Sequence, residues 1–302
     1  MDVVGLGASS VDYVNVVPGV PATSGPNAKL RISSHFVACG GQVATMLAAC
    51  AAFGLRTSYL GPLGTDTHAR LVRRELETRG VDLSAAIERP AENQFAVILI
   101  DERTGERTVL WSRDPRLALD DVELDPAALT AGRVLHVDDV DEETAIRAAR
   151  LASARGVIVT SDFDRVTERT AELVDSVTIP IFDEHVPAAL TGEDDPERAL
   201  RAIRRTHPGL LCVTLGARGA LALEGDRLIY APAIPVQVVD TTAAGDIFRA
   251  GLVAALLEGR AVDAALRFAN TAAGLSCARR GAMASIPSLA DVRARMGDSL
   301  AS

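Results

Sequence analysis

Val238-Val239-Asp240-Thr241-Thr242-Ala243-Ala244-Gly245-Asp246-Ile247-Phe248 is the stretch that decides how this chain is read. β-Branched residues close a strand, small residues make a tight turn, and an apolar run opens a long helix. Nothing bulkier than alanine occupies the three positions before Asp246, so backbone N–H groups there can approach a ligand closely. The first N–H groups of a helix lack intrahelical partners and lie at the positive end of its dipole, which together make an anion site. A carboxylate inside that turn is placed to act as a base beside a bound phosphate. An ordinary helix start with an acidic residue favoured by the dipole has the same local pattern, so the rest of the chain has to decide.

Composition narrows the choice. At 302 residues and 48% hydrophobic side chains the chain can bury one large α/β core. A formal charge of -9 argues against nucleic acid or an anionic membrane as a main partner. Lys29 is the only lysine among 31 basic residues, which excludes a Walker-type P-loop and a protein-kinase fold. An ATP site here must hold phosphates without lysine. Cys39, Cys50, Cys212 and Cys277 lie far apart with no CxxC pair and read as buried, reduced thiols. With an opening strand, no signal peptide and no membrane-length apolar run, a cytoplasmic setting is expected.

Along the chain, Gly5-Leu6-Gly7-Ala8-Ser9-Ser10 lacks the third glycine of a dinucleotide fingerprint, and strand residues from Val11 to Val17 follow it instead of a helix. Asp12 falls just beyond the end of the first strand, where α/β sheets bind ligands. Lys29 to Val37 has strand character. Gly40-Gly41 then opens a helix carrying Gln42 and Thr45. Phe95–Ile100 and Arg107–Trp111 read as a hairpin; with the two earlier strands it makes a small separate sheet, a flap over residues 11–37 and 92–113. Trp111 is expected to pack at that flap or in the core.

From Arg133 onward, strand–helix units give a parallel sheet, with strands at Val134–Val137, Gly156–Thr160, Ile179–Phe182 and Leu210–Thr214. Acidic residues recur at their ends: Asp138 and Asp139, Asp162 and Asp164, Asp183 and Glu184. Half of them are expected to be helix caps. Clustered carboxylates repel unless something compensates, so a magnesium-bearing polyphosphate is a natural guest.

Taken in order, these pieces resemble the ribokinase-like (PfkB) carbohydrate kinases. The match rests on Gly40-Gly41, on Thr214-Leu215-Gly216-Ala217-Arg218-Gly219, on the specific run Asp240-Thr241-Thr242-Ala243-Ala244-Gly245-Asp246, and on Ala269-Asn270 through Gly281. The resemblance implies a single α/β domain: a three-layer α/β/α ribokinase-like sandwich with a mostly parallel central sheet and a small β-sheet lid. It implies an ATP-dependent sugar kinase with magnesium and potassium as cofactors, forming a homodimer through the lid. Asp246 resembles the general base, and Ala243, Ala244 and Gly245 the anion hole. Asp12, Gly40, Gly41, Gln42 and Thr45 resemble sugar contacts, joined there by Asp246. Thr214, Gly216, Gly219 and Asn270 resemble nucleotide contacts. Asp240 and Thr242, with backbone near Arg280, Ala282 and Ser285, resemble a monovalent-cation site.

Two departures stand out. The Gly-Gly helix carries Gln42 and Thr45 where ribokinases usually have lysine and asparagine, so the resemblance does not extend to ribose as substrate. Where the family commonly has Asn-x-x-Glu, this chain has Asp183 and Val186, leaving Asp183 or Glu184 to serve magnesium. Thr104-Gly105-Glu106-Arg107 is similar to the sulfofructose-kinase branch. Sulfofructose, 2-keto-3-deoxy sugar acid, fructose-type and nucleoside kinases stay open, as does a non-catalytic nucleotide- or sugar-binding regulator. Arg31, Arg107 and Arg113 are candidates to receive an anionic substrate.

Overall fold

The computed structural model describes residues 1–104, 107–119 and 124–297. Gly105 and Glu106 of the lid motif lie outside the described residues. Apolar, β-branched runs make the central strands. β1 (Val3–Leu6) is followed by β2 (Ser10–Val17), β3 (Ser34–Gly40), helix α1 (Gln42–Ala52), and the short β4 (Thr57–Tyr59) and β5 (Pro62–Leu63). Helix α2 (Thr67–Thr78) is capped by Asp66, whose carboxylate accepts from Ala69 N–H. Then come β6 (Val81–Asp82), β7 (Ile87–Glu88), β8 (Phe95–Asp101), β9 (Arg107–Ser112) and the one-turn α3 (Pro126–Leu129).

The second half alternates. β10 (Val134–Val137), α4 (Glu142–Ser153), β11 (Ile158–Phe163), α5 (Thr170–Ser176), β12 (Ile179–Phe182), α6 (His185–Thr191), α7 (Pro196–Arg204) and β13 (Leu211–Thr214) succeed one another. A hairpin of β14 (Ala220–Glu224) and β15 (Arg227–Ala231) leads to α8 (Ala244–Leu257), α9 (Val262–Cys277) and α10 (Leu289–Met296).

Nine strands form the main sheet in the order β15-β14-β13-β12-β11-β10-β1-β4-β6. It is parallel from β13 to β6, while β14 runs antiparallel to both of its neighbours, β13 and β15. One apolar layer joins its first face to α1, α8 and α9 through Leu47, Phe53, Leu252 and Phe268. A second joins the opposite face to α4, α5 and α7 through Ile146, Leu173 and Leu200. The expected three-layer α/β/α sandwich is therefore what forms. Strands buried on both faces read as continuous apolar runs, which is why this part was legible.

The separate sheet has the order β3-β2-β8-β9, with β2 and β8 parallel and both outer pairs antiparallel. Its own core is small: Val14, Ala96 and Ile98, with Phe36 and Ile100 against them. Three expectations need correction. Trp111 is 62% exposed, because the whole of β9 is an edge strand with nothing packed over it. β3 starts at Ser34 and extends to Gly40, since it pairs with β2 along its full length. β11 runs three residues beyond Thr160, because Ser161, Asp162 and Phe163 keep pairing with β12. Asp162 thus sits inside a strand rather than after it.

Candidate active site

A cavity of about 890 Å³ opens at the carboxyl ends of β11, β12 and β13, beneath the start of α8. Its floor is the turn at Ala243–Asp246. Ala243 has φ 62°, the only non-glycine residue in the left-handed region among the described residues. That costs of order 1–2 kcal/mol. The bend it makes turns the chain sharply into α8, whose ladder begins with Ile247 N–H donating to Ala243 C=O at 3.0 Å. Of the N–H groups ahead of that bond, Ala244's donates to Thr241 C=O at 3.3 Å, and the rest are the unladdered ones of a helix start.

Asp246 stands one turn into the helix and keeps part of its surface open to the cavity. Burial pushes its carboxyl up to about 8; Arg249 opposes the shift, and Asp164 and Asp183 add to it. Asp164, on the same wall, is pushed up to about 6 by burial and by Asp139 and Asp183. Asp162 is held well above the usual carboxylate range by burial, with Arg249 pulling the other way. Arg249, which the sequence reading passed over, is 2% exposed and pairs with Asp162 at 2.5 Å and Asp183 at 3.1 Å. Its signal was present: the one basic residue of an otherwise apolar helix, three residues after Asp246.

The other acidic residues are used differently. Asp138 is buried and accepts from Ala8 N–H at 2.6 Å and Val140 N–H at 3.2 Å. Asp139 accepts from the N–H groups of Asp164 and Arg165. Both brace loops and neither caps a helix, whereas caps were expected of half of the acidic set.

Of the nucleotide positions, Thr214, Gly216, Gly219 and Asn270 all line the cavity. Asn270 donates to Ala231 C=O at 2.8 Å, bracing the exit of β15. The facing wall is apolar: Ile234, Ala273, Gly274 and Cys277. Cys277 is only partly buried, unlike the other three thiols, because the cavity reaches it.

Of the sugar positions, only Gln42 and Asp246 line this cavity. Asp12, on β2, is buried, accepts from Ser10 Oγ at 2.8 Å, and is pushed up to about 6 by burial. Gly40 lies against it: a Cβ there would sit 2.3 Å from Asp12 Oδ2. Gly41 has φ 93°, and a Cβ would press within 2.5 Å of Ser9 Cα, so glycine is needed to start α1 against the β1–β2 turn. Thr45 is completely buried in α1 and, like Asp12, Gly40 and Gly41, does not line this cavity.

Beside the turn, Asp240 accepts from Thr242 N–H and from Gly281 N–H, each at 2.9 Å. Val239 and Asp240 N–H both donate to Cys277 C=O, tying an irregular segment to the end of α9; the strand expected to close at Val238-Val239 does not form, since β15 ends at Ala231. Thr242 Oγ1 is buried without a hydrogen-bond partner. Ser285 Oγ donates to Ala282 C=O at 2.8 Å. Arg280 is exposed, and its guanidinium donates to Ser34 Oγ at 3.5 Å. An oxygen-rich loop with one orphaned hydroxyl fits a monovalent cation. The two residues expected for magnesium fit a divalent ion poorly. Asp183 is bonded by Arg249 and Thr214, Glu184 pairs with Arg218, and Val186 is apolar and buried. Among the described residues no group of three or more His, Cys, Asp or Glu is arranged to hold a metal ion.

Of the three lid-side arginines, Arg107 alone reaches the site, donating to Thr241 Oγ1 at 3.2 Å. Arg113 is occupied by Asp141 and Leu117 C=O, and Arg31 is exposed outside the cavity.

The model of the pfkB family carbohydrate kinases matches residues 2–289 of the chain. This protein belongs to that family. The kinase is 27% identical to a ribokinase of Bacillus subtilis over 84% of this chain and 86% of the relative. It is 26% identical to fructokinase-1 of rice, Oryza sativa, over 96% of each. Its fold is similar to Arabidopsis thaliana ribokinase complexed with ribose and ATP, with a TM-score of 0.84 and 25% identity over 96% of this chain and 97% of that one. It is an ATP-dependent sugar kinase, a phosphotransferase with an alcohol group as acceptor. No described helix is long and apolar enough to cross a membrane.

Proposed function

We propose that the kinase moves the γ-phosphoryl group of ATP to a hydroxyl of a small sugar or sugar derivative, with Asp246 as general base. The observation that carries this is Asp246 on the cavity floor, in the first turn of α8, beside the N–H groups of Ala243–Gly245. Those N–H groups stabilise charge developing on the transferring phosphoryl oxygens. Asp246 takes the proton as the hydroxyl oxygen bonds to phosphorus and the bond to ADP breaks. The apolar wall at Ile234 and Gly274 suits the flat face of adenine. Asp12 and Gln42 are assigned to the sugar, under the lid. Magnesium, which neutralises polyphosphate charge, is assigned to the nucleotide rather than to a protein cage. Asp240 and Thr242 are assigned to potassium.

Arg107 supports a second reading, in which the sugar carries an anionic group, as a sulfosugar or a 2-keto-3-deoxy sugar acid does. ADP release across a panel of neutral and anionic sugars tests both readings. Turnover with an anionic member, abolished by Arg107→Met, selects the second. Tight ATP binding with no turnover on any sugar would instead make the protein a binding regulator.

A further inference from the structure

A charged side chain with 2% of its surface exposed needs a reason, since a buried ion left unpaired costs several kcal/mol. Arg249 is among the largest fully buried side chains of the molecule. It is flanked on α8 by Phe248, Ala250 and Leu252, all buried and apolar. Its Nη2 lies 2.5 Å from Asp162 Oδ1 and 3.1 Å from Asp183 Oδ1, so one nitrogen bridges two neighbouring strands at their carboxyl ends. Its Nη1 lies directly under the anion turn: a Cβ on Gly245 would sit 2.5 Å from it. The guanidinium therefore occupies the space between the carboxylates and the backbone that would meet the phosphate. A metal ion held between Asp162 Oδ1 and Asp183 Oδ1 would meet the guanidinium in that space.

We propose that Arg249 is a positioning residue for phosphoryl transfer, a resident cation that draws Asp162 and Asp183 together behind the anion turn and keeps divalent ions off the protein until they arrive on the nucleotide. This rests on the kinase reading given above and extends it. An arginine suits the task because its charge is permanent and its planar fork can engage two carboxylates at once.

Two measurements test it, one independent of turnover. Titration of the nucleotide-free kinase with Mn²⁺, followed by electron paramagnetic resonance, is expected to show no bound ion in the wild type and one bound ion per chain in Arg249→Met. The double variant Asp162→Asn/Arg249→Met removes both charges, leaves no lone buried ion, and is expected to fold and bind no Mn²⁺. In steady-state assays Arg249→Met is expected to lower kcat roughly 10²–10³-fold, the loss typical of one electrostatic group at a transition state. KM for the sugar should stay within about threefold, since removing an interaction made in the transition state lowers kcat rather than raising KM. Arg249→Lys should recover about tenfold of the loss by restoring the charge without the fork. Stoichiometric Mn²⁺ on the nucleotide-free wild type, or near-normal kcat in Arg249→Met, overturns the proposal. Absence of turnover by the wild type on every sugar would count against the kinase reading alone, and the Mn²⁺ titration would still decide this one.

Discussion

As the proposed general base, Asp246 would act only in the state that its surroundings allow. A base must be ionised, and burial holds this carboxyl up at about 8 in the nucleotide-free protein. Because the shift is upward, the active form is lost below that value: kcat/KM, which reports the free enzyme, is expected to rise with pH through this region. Asp246→Asn should bind ATP nearly as well as the wild type while kcat falls roughly 10²–10⁴-fold. Near-normal kcat in that variant would remove Asp246 from its role. A few residues away, Thr242 Oγ1 is buried without a partner beside the Asp240 carboxylate. Potassium is accordingly expected to raise the rate over that in a bulky organic cation, and equal rates would dissociate this loop from cation binding. The base and its turn were legible because they are contiguous in sequence. Arg249 was not, because its partner Asp183 is 66 residues away and only folding shows that the two meet.

At the scale of elements, the position of that turn depends on how α8 lies on α9. Gly251 is the point of closest approach: a Cβ there would stand 2.9 Å from Ala269 Cα, a backbone atom that cannot swing aside. Gly251→Val should therefore destabilise the protein by about 1–3 kcal/mol through overpacking. A melting temperature equal to the wild type's would show that the two helices are not so closely seated. The parallel strands were readable as elements, but their ends were not. β11 continues through Asp162 because β12 offers partners for Ser161, Asp162 and Phe163, a condition set by the neighbour rather than by β11 itself.

For the molecule as a whole, the lid leaves its outer strand uncovered. Val109, Leu110 and Trp111 are 45%, 56% and 62% exposed on β9, which has no partner along its outer edge among the described residues. An exposed apolar edge is the kind of surface a second copy covers. The proposed homodimer through the lid predicts a dimeric mass in light scattering, shifted to monomer by Leu110→Asp/Trp111→Asp. A wild type that is monomeric at all concentrations tested would end that proposal.

What the sequence determined by itself was the layered α/β plan, the small separate sheet and the lysine-free turn that carries the proposed base. Each is written in short-range periodicity or in a contiguous run, where neighbours in sequence are neighbours in space. The tertiary structure decided which acidic residues face the cavity and which brace loops, and it decided that an arginine pairs with Asp162 and Asp183 there. Those outcomes depend on charges brought together from different strands and helices, whose pairing energies exist only once the sheet has formed.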